Sequence, residues 1–267
     1  YIILGQEDHP WWCECDNCKA LADQYGTDAA VMILFLNKVQ AAVDEWFAQN
    51  RPSEKPTMCL MFAYYDTIVP PVNWNAQTGA WEPIDEAMVI NPNSGIMFAP
   101  IDMESDVAFS DYDAADKTNP HGQLLGWNSC TDNIFVWLYS QNFSQYFLPY
   151  YTFDTVKENY ELLLETGCVS ILDQTQSDSK GYMTGWNMAK AYLLKELQWD
   201  NAQNTEDVLR RFFNRYYGDA SYVMYSLFRD EMNWINYIHS QLDAQGGVFE
   251  EILLQKYGTA DFMDEDY

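Results

Sequence analysis

Positive charge is scarce in this chain: 14 Lys and Arg stand against 40 Asp and Glu, for a formal net charge of −26. A field of that sign repels phosphate backbones and anionic lipid, which argues against nucleic-acid and membrane-surface roles. Long apolar runs are also missing. None approaches the roughly 20 residues that cross a bilayer, so membrane insertion is not expected. There is no phosphate-cradling glycine loop, dinucleotide fingerprint or Ser/His/Asp pattern. Histidine is limited to three residues. His239 falls in a helical pattern, and His121, between Asn119-Pro120 and Gly122, reads as an exposed turn. No signal peptide is visible, but residue 1 already lies inside a strand-like run. The chain therefore reads as a piece of a longer protein whose targeting segment would lie upstream.

What is abundant points elsewhere. The 267 residues are 48% hydrophobic, enough for one large α/β domain or one domain with a helical appendage. Aromatic residues make up 16%, including 10 Trp and 19 Tyr. Flat rings stack on the apolar faces of sugars, and phenol and indole donors bind sugar oxygens. A neutral ligand such as a glycan fits this composition.

Strand-like apolar runs recur at 1–5, 57–64, 95–101, 133–139 and 168–172. Between them, 28–49 carries Val31, Leu34, Phe35, Val39, Val43 and Phe47 at helical spacing, and 155–166 is helical up to Gly167. Strand, helix, strand in this rhythm predicts parallel β/α units. Five strands are too few to close an eight-stranded barrel. The expected fold is therefore α/β: a partial or complete TIM-type (β/α) barrel portion over 1–183, with earlier strands upstream. An open five-stranded sheet is the rival. Helices are expected at 186–197, 205–217, 220–245 and 249–257, forming a C-terminal helical region over 184–267 packed on the barrel.

In parallel β/α folds, ligands bind at the C-terminal ends of the strands. The polar residues after each run are the candidates: Gln6, Glu7 and Asp8; Tyr65 and Asp66; Asp102 and Glu104; Ser140, Gln141 and Asn142; Asp173, Gln174 and Gln176. Interleaved with them are Trp11, Trp12, Tyr64, Trp74, Trp127, Trp137 and Tyr139. Glycoside cleavage needs one carboxylic acid to protonate the leaving oxygen and a second group to attack or stabilise the sugar carbon. An apolar wall raises the acid's pKa so that it keeps its proton near neutrality. Glu7 and Asp8 have that chemistry beside tryptophan, with Asp66 as a further carboxylate. Neighbours on an extended strand point to opposite sides, so one of Glu7 and Asp8 would face the pocket.

The run Cys13-x-Cys15-x-x-Cys18 has three readings. One is a structural zinc, with His9 or Cys130 supplying a fourth ligand. Another is a disulfide plus a free thiol in an exported protein, and the third is three unlinked thiols lining a turn. Cys59 and Cys168 sit in apolar runs and read as inert core thiols. No catalytic cofactor is implied.

The order of these motifs resembles a large bacterial family long labelled as a domain of unknown function. The resemblance rests on the strand ending Gln6-x-Asp8, Trp12-Cys-x-Cys-x-x-Cys18, Phe35-Leu-Asn37-Lys-Val39 and the strand 60–65 leading to Pro70-Pro71. It also rests on Ile134-Phe-Val-Trp-Leu-Tyr139, on 191–200 ending in Trp199-Asp200, and on Phe212-Phe-Asn-Arg-Tyr-Tyr-Gly218. That family follows an α-glucuronidase-like N-terminal domain and forms much of a TIM barrel. Some members are endo-β-N-acetylglucosaminidases acting on complex N-glycans. The resemblance implies an extracellular or cell-surface retaining glycosidase, in which the substrate's acetamido group can be the nucleophile, working beside an upstream domain of the same protein. Asp8 matches the family's acidic strand end, and Glu7 replaces what is more often an amide. Three positions depart from the pattern: Trp137-Leu138-Tyr139 where Trp-Asp-Tyr is usual, Ile101-Asp102 near an expected arginine, and Gln174-Thr175 in place of Gln-Gly. Those departures favour a second expectation, a non-catalytic glycan-binding module, and a third is an accessory domain of a surface protein. An α-glucuronidase ranks lower, because basic residues for a uronate carboxylate are sparse near the rim.

Overall fold

The apolar runs and helical stripes become fourteen strands and helices in a computed structural model that describes residues 1–5, 12–101, 103, 107–140, 152–175 and 186–243, with side chains to 237 in the last stretch. In chain order these are β1 (Ile2–Leu4), α1 (Asp16–Tyr25), α2 (Ala29–Asn50), β2 (Cys59–Ala63), β3 (Val72–Asn75), β4 (Ala80–Pro83) and β5 (Ser94–Phe98). Then follow α3 (Pro120–Cys130), β6 (Ile134–Tyr139), α4 (Val156–Glu165), β7 (Ser170–Gln174), α5 (Asn187–Trp199), α6 (Thr205–Tyr217) and α7 (Ser221–Asp243). The expectations at Gln6, Glu7, Asp8, His9, Trp11, Asp102 and Glu104, at 141–142 and Gln176, at the His239 side chain and for a helix over 249–257 lie outside the described residues.

All five expected strands form one sheet in the order β1-β2-β5-β6-β7. β1, β2, β5 and β6 pair in parallel, with Ile3 opposite Leu60, Phe62 opposite Met97 and Met97 opposite Phe135. The order never reverses along the chain, so the sheet has no topological switch point of the doubly wound kind. One face carries Leu60, Met97 and Phe135, with Ile3, Met58, Phe62 and Trp137 packed against them. On the alternate positions, Met61, Ile96, Phe98 and Val136 are almost wholly buried. Burial on both faces explains why these strands read as continuous apolar runs. Gly95 is required by close approach: a Cβ there would stand 2.2 Å from the Asn133 carbonyl oxygen on the way into β6.

Amides of α2 lock the N-terminal ends of the strands. Gln40 is fully buried; its Nε2 donates to Thr57 O at 3.1 Å, and its Oε1 accepts from Cys59 N at 2.8 Å and from the Ser94 hydroxyl at 3.2 Å. Asn37 holds the loop before β5, donating to Val89 O at 2.9 Å and accepting from Asn91 N at 2.8 Å. The Asn37 of the family-like motif is thus a structural clamp.

Two features go beyond the sequence reading. β3 and β4 form a small antiparallel hairpin in which Trp74 faces Trp81 edge-on at 5.2 Å. The Asn119-Pro120-His121-Gly122 stretch, expected as an exposed turn, opens α3 instead. Asn119 accepts from Gly122 N at 3.0 Å as an N-cap, Pro120 takes the first helical turn, and half-buried His121 places Nδ1 3.0 Å from Tyr112 O. Asn-Pro serves a helix start as well as a turn.

Two compact units interleave along the chain: Tyr1–Ile101, Phe109–Leu138 and Leu163–Leu172, then Asp102–Ala108, Tyr139–Leu162 and Asp173–Tyr267. The second is helical and aromatic. Phe213 of α6 stands 5.2–5.6 Å from the rings of Trp186, Tyr225 and Phe228. Asn204 caps α6 by accepting from Asp207 N at 3.1 Å. The helix ends at Gly218, whose φ of 53° with ψ of −122° disfavours any L side chain. Among the described residues, no helix is long and apolar enough to cross a membrane.

Candidate functional site

β2 delivers an aromatic ledge at its C-terminal end. After Ala63 the chain stays extended at Tyr64, then turns through a single 3₁₀ turn, Tyr65–Thr67. Buried Thr67 makes that turn. Its hydroxyl lies 2.9 Å from the carbonyl oxygens of both Phe62 and Tyr64, and 3.3 Å from Tyr64 N. Tyr65 has φ of 45°, the one positive φ outside glycine among the described residues. A bulky residue held in that region stores strain of about 1–3 kcal/mol, and such strain concentrates at functional sites. The Tyr64 and Tyr65 rings are 4.2 Å apart. Phe62 lies 6.1 Å from Tyr64 and 6.3 Å from Trp137, so four rings follow one another from β6 across β2 to the turn. Asp66, in the turn, is exposed.

A second carboxylate arrives from a helix. The turn between α1 and α2 is fastened to the loop beyond β2 by the Thr27 hydroxyl, which donates to Val69 O at 2.8 Å. Thr27 also accepts from Ala29 N at 3.1 Å, while Asp28, at the N-cap of α2, makes no side-chain cap bond. Burial pushes the half-buried Asp28 carboxyl up from the usual carboxylate range, and the Asp66 charge pushes it further; the Trp12 indole works the other way. The Trp12 Nε1 is shut off from solvent and has no hydrogen-bond partner of ordinary geometry. Trp12, Asp28 and Asp66 are therefore neighbours, with one carboxyl biased toward its protonated form beside a carboxylate and an indole. That is the pattern of a proton donor beside an anion.

Three thiols gather just before this point. The sulfurs of Cys13, Cys15 and Cys18 all lie within 4.8 Å of one another, and none is in a disulfide. Cys15 is the N-cap of α1. The Cys18 amide at the head of the helix, then the Cys18 and Cys13 thiols, draw the Cys15 thiol down to about 7. Cys18 is correspondingly pushed up to about 12, first by Cys13 and then by Cys15. Cys59 is buried, as expected of a core thiol, and so is Cys130; Cys168, expected in the core as well, is instead half-buried with its thiol 3.3 Å from Ser170 O.

The second unit has its own buried polar cluster. Asp173, at the end of β7, accepts from the Tyr160 hydroxyl at 2.8 Å, and Gln198 donates to the same hydroxyl at 3.0 Å. Lys190 of α5 is 2% exposed and donates to Ser140 O at 3.0 Å, with its ammonium 5.7 Å from the Phe153 ring centroid. Burial pushes the Lys190 amine down to about 7, against the opposing pull of Asp173. Burial also raises Asp173, with the Ser140 and Tyr160 hydroxyls easing it, and drives Tyr160 far above the usual phenol range. Such a network holds loop ends in place; the half-buried ledge of the first unit, with exposed Asp66 at its turn, is better suited to a ligand.

Of the expected site residues, Trp12, Tyr64, Tyr65, Asp66 and Trp137 meet on or beside the ledge. Trp127 is fully buried in α3, its indole donating to Ile68 O at 2.8 Å, so it props the loop beyond β2 from within. Trp74 sits in the β3–β4 hairpin. Tyr139 and Gln174 belong to the second unit, where the Gln174 carbonyl accepts from Ser140 N at 2.8 Å. Asp28 and Lys190 were not foreseen. The signal for Lys190 was legible: it shares a helical face with Ala189, Leu193, Leu194 and Leu197, all buried.

No curated protein and no solved structure matches the chain. A family model described as a domain of unknown function (DUF4838) matches residues 1–227, so the chain belongs to that family.

Proposed function

We propose that this chain is a glycoside hydrolase acting on N-acetylglucosamine-containing glycans by acid/base catalysis. Its parallel sheet would be a sector of a larger β/α barrel, and the protein would work outside the cell or at its surface. The observation that carries this reading is the ring ledge Trp137–Phe62–Tyr64–Tyr65 running toward the Trp12–Asp28–Asp66 cluster at the C-terminal end of β2. Sugar rings stack on such ledges, and a strand order without reversal supports the barrel over a doubly wound sheet.

Asp28 is suited to protonate the leaving oxygen, since burial and then the Asp66 charge both raise its carboxyl above the usual carboxylate range. Asp66 remains beside it as the charged partner. Glu7 and Asp8, in the segment between β1 and Trp12, are further candidates for the acid/base, and the substrate's acetamido group would supply the nucleophile. The test is hydrolysis of N-glycans and aryl N-acetylglucosaminides by the protein and by its Asp28→Asn, Asp66→Asn, Glu7→Gln and Asp8→Asn variants. A loss of at least about 100-fold in one or more variants is expected for an acid/base; unchanged rates in all four sink the assignment.

One observation favours a second reading. Leu138, where the family-like pattern has an acid, is 4% exposed within β6 and can supply no carboxylate. A non-catalytic glycan-binding module would use the same ledge, and saturable binding without turnover would identify it.

A further inference from the structure

We propose that Cys13, Cys15 and Cys18 together hold one thiophilic divalent cation of the zinc class, clipping the chain between β1 and α1 to the head of α1. Three observations carry this beyond the glycan reading. First, all three sulfurs already lie within 4.8 Å of one another. Three thiolates on one tetrahedral zinc, with Zn–S near 2.3 Å, stand about 3.8 Å apart, so side-chain rotation alone closes the site. Second, the three sulfurs come from a single short run at a helix start, Cys15 at the N-cap and Cys18 in the first turn of α1, with the two-residue spacing that tetrahedral thiolate sites use. The free amides at a helix N-terminus favour the net negative charge of a metal–trithiolate group. Third, Cys13 and Cys15 are exposed and Cys18 is half-buried, so an ion has an entry path and a fourth position is left for water.

A disulfide would use two of these sulfurs and strand the third, whereas a cation uses all three. The nearest ion pair leaves the thiols alone: Glu14 is 3.7 Å from Lys19. Cys130, at the end of α3, is not part of the group. Binding requires loss of the thiol protons to solvent as the metal–sulfur bonds form, with no change of oxidation state. The clip would fix Trp12, which adjoins Cys13, against Asp28.

The experiment titrates cobalt(II) into the reduced, metal-free chain under anaerobic conditions and follows the near-ultraviolet thiolate-to-cobalt band. One equivalent is expected to saturate the band, and zinc is expected to bleach it. Cys13→Ser, Cys15→Ser and Cys18→Ser should each abolish it, while Cys168→Ser leaves it intact. In the unaltered chain, where no variant need fold, zinc should protect those three residues from alkylation as read by peptide mass spectrometry. Absence of the band in the reduced chain overturns the proposal. So does a band that survives Cys15→Ser, or alkylation of the three thiols at the same rate with and without zinc.

Discussion

Lys190 offers the sharpest test of the electrostatics of the second unit. Its amine is folded into a site where burial brings it down to about 7, against 10.5 in the unfolded chain. Between those two values the unfolded state holds a proton that the folded state has released, so stability must rise with pH across that window. The full span is 10.5 − 7 = 3.5 units, or roughly 5 kcal/mol at 1.36 kcal/mol per unit. Linkage places roughly 2 kcal/mol of this between pH 7 and pH 9. Asp173 acts with the opposite sign: its carboxyl is raised by burial, so its contribution is present below the usual carboxylate range and lost as pH climbs through its raised value. The perturbation is Lys190→Met, which keeps the buried stem and removes the amine. Urea unfolding at pH 7 and pH 9, read by helical circular dichroism, should show the parent gaining roughly 2 kcal/mol relative to the variant. Removing the cation also raises Asp173 further, which enlarges the difference in the same direction. A parent-minus-variant difference that stays flat between the two pH values would refute the reasoning, because the ammonium would then be no more desolvated folded than unfolded.

Three other outcomes follow from the first unit. If Asp28 is the proton donor, kcat/KM falls as pH rises through its raised value, and Asp28→Asn removes that alkaline limb along with most of the rate; a limb that persists in the variant assigns the proton to another group. Gly95→Ala forces a Cβ to within 2.2 Å of the Asn133 carbonyl, so it should cost about 1–3 kcal/mol in urea unfolding, and a neutral result would mean that β5 and β6 are further apart than they stand here. Gln40→Leu leaves half-buried Thr57 O and buried Cys59 N without this partner, and at about 1–3 kcal/mol for each orphaned group it should destabilise by about 2–6 kcal/mol. Gln40→Glu, which keeps the acceptor for Cys59 N, should cost less than Gln40→Leu at a pH where the acid is protonated.

How much of this was legible in the sequence depends on which element carries each residue. The three central strands β2, β5 and β6 announced themselves because both faces are largely buried, which turns each into a nearly unbroken apolar run such as Cys59-Leu-Met-Phe-Ala63. The edge strands β1 and β7 are only partly buried and showed through shorter apolar runs. α3 was not legible, since Gly122, Gln123, Leu124, Gly126, Trp127 and Cys130 bury it on several sides and leave no amphipathic stripe. α1 hid behind its thiols, because cysteine is no ordinary N-cap. At the site, the strand-end rule found Tyr64, Tyr65 and Asp66, whose places are set by β2 itself. It could not find Asp28, which reaches the same place only through the Thr27–Val69 hydrogen bond, 42 residues apart in sequence.

The two ends of the sheet then divide the labour. At the N-terminal ends, the side-chain amides of Gln40 and Asn37 are engaged by strand starts, by the Val89–Asn91 loop and by Asp44 one turn along α2, which is a matter of stability. At the C-terminal end of β2, Asp28 caps nothing, Asp66 is exposed, Trp12 Nε1 is shut off from solvent with no hydrogen bond of ordinary geometry, and Tyr65 is strained. Polar capacity is left unspent there, whereas the Gln40 and Asn37 amides at the opposite ends of the strands are engaged. That contrast, more than the abundance of acids, is what directs attention to Asp28 among 40 carboxylates.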